Sequence, residues 1–284
     1  MSGQQGKKAL PTIAPSTSGD RLFRVLGTMV RPTYHAIASI KIEGRENLPQ
    51  KGGYIVVANH TTEMDPITVA YAPFISGALP RFLAKDSLFR APVLGWLMCK
   101  MAHIPVIRGS VDARKSLITA RSVVETGGAV VIFPEGTTTH DPDTWPMQAR
   151  TGAARLALAT GAPVIPVAHW GDEQILSYEY VDGPDGKKKE KRKVSLWPRK
   201  TVHVKIGQPM NIAALVDDPS PQAKRTRTEL NIVTEAMMDE ITALLAHIRG
   251  EQAPKGRWNP KTKRRELPGE TTGVTGTLGE PDEN

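Results

Sequence analysis

The sequence predicts an α/β protein: a single domain with a central mixed, largely parallel β-sheet flanked by helices, plus an N-terminal amphipathic helix. Three observations predict it. Short β-branched runs alternate with segments of helical periodicity, the pattern that lays helices on the faces of a sheet. Glycines close the helical segments at Gly127, Gly161 and Gly250. A composition of 39% hydrophobic and 23% charged residues over 284 positions is globular, and the chain is long enough for one sizeable core.

Taken in order, residues 1–18 are rich in Gly, Pro, Ser and Thr and are expected to be disordered. Over 19–38, Asp20 reads as an N-cap, with Leu22, Phe23, Leu26, Met29 and Val30 on one side of a helix. Arg21, Arg24 and Arg31 fall largely opposite, and Pro32 is expected to end or kink the run. Such a helix suits a membrane interface. It would equally pack on the domain's own core, and the periodicity admits both. A β-like segment around 40–43 follows. Residues 54–58 (Tyr-Ile-Val-Val-Ala), between Gly-Gly and Asn-His, read as a buried strand. Further strands are expected at 82–84, 104–107, 129–133, 164–168 and 202–206, with helices at 110–125 and 151–159. The last helix, about 222–249, carries Leu230, Val233, Met237, Ile241, Leu244, Leu245 and Ile248 at helical spacing. Beyond it, 251–284 is expected to be a disordered basic and polar tail.

The charge is unevenly spread. Lys and Arg number 37 against 29 Asp and Glu, a net +8. The run at 187–193 carries +5 and the segment 255–265 carries +6, which leaves the rest of the chain at −3. Such runs attract phosphate, whether in lipid headgroups or nucleic acid, or serve only as a solvated loop and tail. No nucleic-acid reading module is present, and the basic runs lack interleaved aromatics. No stretch has the roughly 18 apolar residues of a spanning helix, and the first residues lack a secretory h-region. A lone Cys99 excludes an internal disulfide framework. A protein of the reducing cytosol, soluble or held at a membrane surface, is expected. There is also no phosphate-loop, dinucleotide, HExxH or nucleophile-elbow motif.

What remains is a set of strand ends bearing polar residues. Asn59-His60-Thr61-Thr62-Glu63-Met64-Asp65-Pro66 follows directly on the 54–58 strand, which places His60 on the rim where open sheets bind ligands. Asp65 and Pro66 read as an N-cap and first helical position. The Asp65 carboxylate would then lie at the mouth of a turn leading back to His60. A carboxylate on one imidazole nitrogen fixes the tautomer and leaves the other nitrogen free to take a proton from an alcohol. The plainer alternative is a helix cap and an unrelated strand-end histidine. Phe133-Pro134-Glu135-Gly136-Thr137 ends a second strand, and Gly136 would let backbone amides approach an anionic or alcoholic substrate. Ile104-Pro105-Val106-Ile107-Arg108-Gly109 ends a third with an arginine suited to phosphate. Val164-Ile165-Pro166-Val167 runs on to Gly171.

In this order and spacing the four segments resemble the four sequence blocks of the glycerolipid acyltransferase family, particularly the bacterial 1-acylglycerol-3-phosphate O-acyltransferases. Asn59, His60, Thr62 and Asp65 match its N-H-x-[ST]-x-x-D block, Arg108 its phosphate-binding arginine, residues 133–137 its F-P-E-G-T block, and Pro166 its last. The resemblance implies that 39–250 is the acyltransferase domain. His60 and Asp65 would be catalytic, with Lys85, Arg108, Glu135, Gly136, Thr137 and Thr138 binding substrate. The family usually has arginine where this chain has Thr138, and Lys85 or Arg150 could supply the missing charge. The implied partners are a lysophospholipid acceptor, acyl-CoA or acyl-carrier protein as co-substrate, and an anionic membrane surface. No further cofactor, metal or nucleic acid is expected, and the implied location is the cytoplasmic face of the membrane, peripheral or monotopic. Glycerol 3-phosphate or a glycolipid hydroxyl stays open as the acceptor. Segment 91–101, with Trp96 and Met98, would line an acyl groove, dip into lipid, or form a core helix.

Overall fold

The computed structural model describes residues 17–106, 112–182 and 188–267. Helix α1 (Thr17–Ile37) leads into β1 (Ala38–Glu43) and β2 (Tyr54–Ala58), followed by α2 (Asp65–Ile75), β3 (Arg81–Lys85), α3 (Pro92–Lys100) and β4 (Ile104–Val106). Then come α4 (Asp112–Glu125), β5 (Ala129–Ile132), α5 (Gly152–Thr160) and β6 (Val164–Trp170). After a two-stranded arm of β7 (Leu176–Asp182) and β8 (Lys188–Val194), the chain returns through β9 (Lys200–Ile206) to α6 (Arg227–Arg249). A short hairpin follows, β10 (Arg257–Asn259) and β11 (Arg264–Glu266).

Seven strands form one sheet in the order β1-β9-β6-β2-β5-β3-β4. Every neighbouring pair is parallel except β6 with β9, so the β1–β9 pair runs against the other five strands. The alternation of β2 shows why it lies at the centre. Ile55 and Val57 face one layer with α4, α5 and α6, while Tyr54, Val56 and Ala58 face the other with α2. Parallel neighbours align their C-terminal ends on one edge; the loops after β2, β5 and β3 leave from that edge, where β4 also ends.

Several expectations change. Helix α1 begins at Thr17 and continues five residues past Pro32, and Asp20 lies in its first turn, paired with Arg81 instead of capping. The burial of Phe23 on one side of the proline and Tyr34 on the other holds both halves of the helix in place. Gly27 lets α1 approach α2 closely, since a Cβ there would come within 2.5 Å of the Phe74 ring. Val25, Met29 and Val30 remain exposed on this helix. Helix α3 is not a core helix: Gly95 is its one buried residue, and Val93 and Trp96 are 79% and 55% exposed. Among the described residues no helix is long and apolar enough to cross a membrane.

The basic segments are also more ordered than their composition suggests. Much of the 187–193 run forms β8, antiparallel to β7 with Leu176 opposite Val194 and Asp182 opposite Lys188. The expected disordered tail is ordered through residue 267, because its arginines find carboxylates. Arg257 is buried and donates to Glu235 at 2.9 Å, to Thr242 at 3.0 Å and to Asp239, while Arg265 grips Asp141 at 2.6 and 2.9 Å. The hairpin accepts the Gln148 amide on the Trp258 carbonyl at 3.0 Å, and Arg249 is sandwiched between Trp145 and Trp170, 4.3 Å from each ring. Loop 139–148 is thereby fastened to α6 and the hairpin. Residues 1–16 and 268–284, both expected to be disordered, lie outside the described residues.

Candidate active site

The loop between β2 and α2 folds back on itself around Asp65. This carboxylate is fully buried, and its Oδ2 accepts from His60 Nδ1 at 2.8 Å, from the Thr62 amide at 2.9 Å and from the Thr61 amide. Its Oδ1 accepts the Thr62 hydroxyl at 2.8 Å. Asp65 is thus no helix cap. Its side chain turns back upstream, against the cap expected from the Asp-Pro pair, because two amides, two hydroxyls and an imidazole lie there. Burial alone would push this acid up; the charge of buried His169 and the bond from His60 outweigh it and hold the carboxyl below its usual range. The His60 ring stacks on Phe133 at 4.2 Å, and its side chain stays 16% exposed at the sheet rim. With its Nδ1 proton given to Asp65, the lone pair resides on Nε2.

Glu135 lies under this loop. One oxygen accepts the His60 amide and the other the Met147 amide, both at 3.0 Å, so the loops after β2 and β5 are joined through one side chain. Burial raises its pKa to about 8, and the two amide donors only partly oppose the shift. Thr139 donates its amide to the His60 carbonyl at 2.7 Å, a second tie between the loops. Gly136 adopts φ 76°, a left-handed turn open to glycine, and a Cβ there would press on Arg150, 3.2 Å from its Nε.

The remaining expected residues fall as follows. Thr137 and Thr138 are half-buried in the loop after β5, and Arg150 lies over that loop with its amide bonded to the Pro134 carbonyl at 2.9 Å. Lys85 is exposed at the end of β3, which pairs with β5, and so shares the rim with Glu135. Arg108 lies outside the described residues, beyond the end of β4. The basic arm reaches the same loop: Arg192 donates to Glu63 at 2.8 Å, and the Tyr178 hydroxyl bonds the same carboxylate.

Sequence reasoning missed a second buried group. His169, near the end of β6, has its Nε2 2.9 Å from the Asn59 carbonyl and 3.6 Å from Asp65 Oδ2, and its Nδ1 3.0 Å from Asp172 Oδ2. Asn59 clasps the same residue twice more, accepting its amide at 3.0 Å and donating to its carbonyl at 3.1 Å. Asp172 Oδ1 in turn accepts Thr68 at 2.7 Å and Tyr34 of α1 at 3.0 Å. A signal was available, namely a histidine inside the apolar 164–170 strand three residues before an aspartate. Ligand atoms of Asp65, His169 and Asp172 lie within 4.8 Å of one another, as in a metal cluster. Of the two ring nitrogens, Nε2 faces the Asn59 carbonyl, so it carries a proton and offers an ion no lone pair.

A family model described as Acyltransferase matches residues 39–170. The chain is 36% identical over 137 residues to a 1-acyl-sn-glycerol-3-phosphate acyltransferase of Borreliella burgdorferi, covering 46% of this chain and 52% of that one. It is 34% identical over 140 residues to a chloroplastic 1-acyl-sn-glycerol-3-phosphate acyltransferase of Brassica napus, covering 48% and 38%. The chain therefore spans about half or less of the length of these two relatives. A Bacillus subtilis protein of the same name is 28% identical over 208 residues, 72% of this chain and 87% of that one. In fold, the chain is similar to the crystal structure of the 1-acyl-sn-glycerophosphate acyltransferase PlsC from Thermotoga maritima, with a TM-score of 0.55, 21% identity and 83% of each chain covered. The matched segment runs from β1 to the end of β6 and so contains His60, Asp65, Glu135 and six of the seven strands of the sheet; over this segment the chain is similar to acyltransferases.

Proposed function

We propose that this protein moves a fatty acyl chain from acyl-CoA or acyl-carrier protein to the free hydroxyl of a lysophosphatidic-acid-like acceptor. The bond from His60 to Asp65 carries this reading. Asp65 holds the Nδ1 proton, so Nε2 takes the proton of the acceptor hydroxyl as its oxygen attacks the thioester carbonyl. The tetrahedral intermediate then collapses, the C–S bond breaks, and the proton returns from His60 to the leaving thiolate. Backbone amides near Gly136 and Thr137 face the developing oxyanion. Lys85, Arg108 and Arg150 bind the acceptor's phosphate, with Arg150 over Gly136 standing in for the arginine that Thr138 replaces.

The chemistry belongs at a membrane surface. Exposed Val25, Met29 and Val30 on α1, Val93 and Trp96 on α3, and the basic arm tied to Glu63 would seat the protein on anionic lipid with the rim facing it. Pairing of Arg257 and Arg265 with carboxylates leaves less free charge for nucleic acid than the sequence suggests. The test is purified protein with palmitoyl-CoA and a panel of lysophosphatidate, glycerol 3-phosphate and glycolipid acceptors, read by mass spectrometry. Lysophosphatidate should be the acylated acceptor, and Arg150→Ala should raise its KM at nearly constant kcat. Acylation of the glycolipid alone would overturn the acceptor assignment, and no acylation of any acceptor would overturn the activity.

A further inference from the structure

Behind the His60–Asp65 pair lies a second, fully buried pair, His169 with Asp172, that the proposed chemistry does not use. Both ring nitrogens of His169 face oxygen. Nε2 is 2.9 Å from the Asn59 carbonyl, which can only accept, and Nδ1 is 3.0 Å from Asp172 Oδ2. Asp172 is itself an acceptor from two hydroxyls, Thr68 and Tyr34. A neutral imidazole has one N–H and would leave one of these oxygens facing a lone pair. Two protons on the ring would serve both oxygens, the contact with Asp172 being ionic more than an aligned hydrogen bond.

We infer that His169 is a positioning residue for the reaction, a buried imidazolium 3.6 Å from Asp65 Oδ2 that keeps Asp65 a carboxylate aimed at His60. Without it, Asp65 and Asp172 would be two carboxylates sharing one dry region, and one would hold a proton. A protonated Asp65 stabilises the His60 imidazolium far less, and its hydrogen-bond pattern around Thr61 and Thr62 would change. Asp65 of the β2–α2 loop and Asp172 and Glu173 beyond β6 face His169, while His60 bonds Asp65 and Tyr34 of α1 bonds Asp172 behind them. Burial depresses the His169 ring and these carboxylates more than restore it, to about 9, in agreement with the geometry. The bonds run on from Asp172 to Tyr34, so the inner face of α1 is linked to the base through fixed contacts.

This inference rests on the reading of His60 as the base. The experiment uses the full chain and two readouts. In ¹⁵N-histidine NMR with backbone-anchored assignment, His169 of the wild-type protein should carry two ring protons at pH 7 and keep them beyond pH 8. A His169 that is singly protonated at pH 7 overturns the proposal, and this holds even if no variant folds. In kinetics, His169→Gln keeps a donor for Asn59 but loses the charge. It should lower kcat about 10- to 100-fold, with acceptor KM within about 2-fold. An unchanged kcat means His169 only packs, and the proposal fails. Inactivity of wild-type protein on every acceptor sinks the acyl-transfer reading instead, while the NMR result still decides the state of His169.

Discussion

At the scale of the residue, the site depends on burial working against charge. Asp65 is fully buried yet held ionised by donors on every side, so truncating its partner or itself should separate chemistry from folding. His60→Ala should lower acyl transfer by at least the 100- to 10,000-fold typical of general-base assistance, with circular dichroism unchanged. Near wild-type turnover in that variant would falsify the role of His60. Glu135 titrates in the opposite sense. An unfolded chain gives up this proton near 4.5 and the folded protein near 8, so its contribution to stability is lost as pH rises through that window. Glu135→Gln cannot ionise and should therefore show a shallower fall of Tm between those pH values; identical profiles for the two proteins would rule the shift out.

At the scale of the element, much of the fold was legible in the sequence and some was not, for physical reasons. The β-branched 54–58 run read as a buried strand because both its faces meet apolar layers, and residues 54–58 are all buried. Helix α6 was legible from the spacing of Leu230, Val233, Met237 and Ile241, though it starts at Arg227, five residues later than expected. The start is set by a capping box. Thr226 accepts the Glu229 amide while Glu229 accepts the Thr226 amide, and the apolar period does not encode that exchange. Thr226→Ala should cost about 1 kcal/mol in urea unfolding. Strands β8, β10 and β11 were hidden in basic, low-hydropathy sequence, since cross-strand pairing and ion pairs to distant carboxylates leave no local period. Of the site, the His60–Asp65 contact was visible as a motif. The link from Asp65 to His169 spans more than a hundred residues and arises only when β2 and β6 lie side by side.

At the scale of the whole molecule, the C-terminal hairpin is part of the site's support. Arg257 is buried against α6, and Arg265 and Gln148 join the hairpin to loop 139–148, which carries the Met147 amide to Glu135. Arg257→Ala leaves its carboxylates without their cation and should cost about 2 kcal/mol, read as a lower urea midpoint at constant m. It should also lower kcat, because Glu135 loses its fixed platform. Unchanged stability would show the hairpin to be decoration.

The same feature sets an order of assembly during synthesis. The sheet can pair its seven strands once β9 has left the ribosome, but the loop carrying Met147 gains its contacts with residues 249–266 later. A nascent chain therefore holds a finished sheet and a 139–148 loop not yet fastened to the hairpin for about the last sixty positions before residue 266.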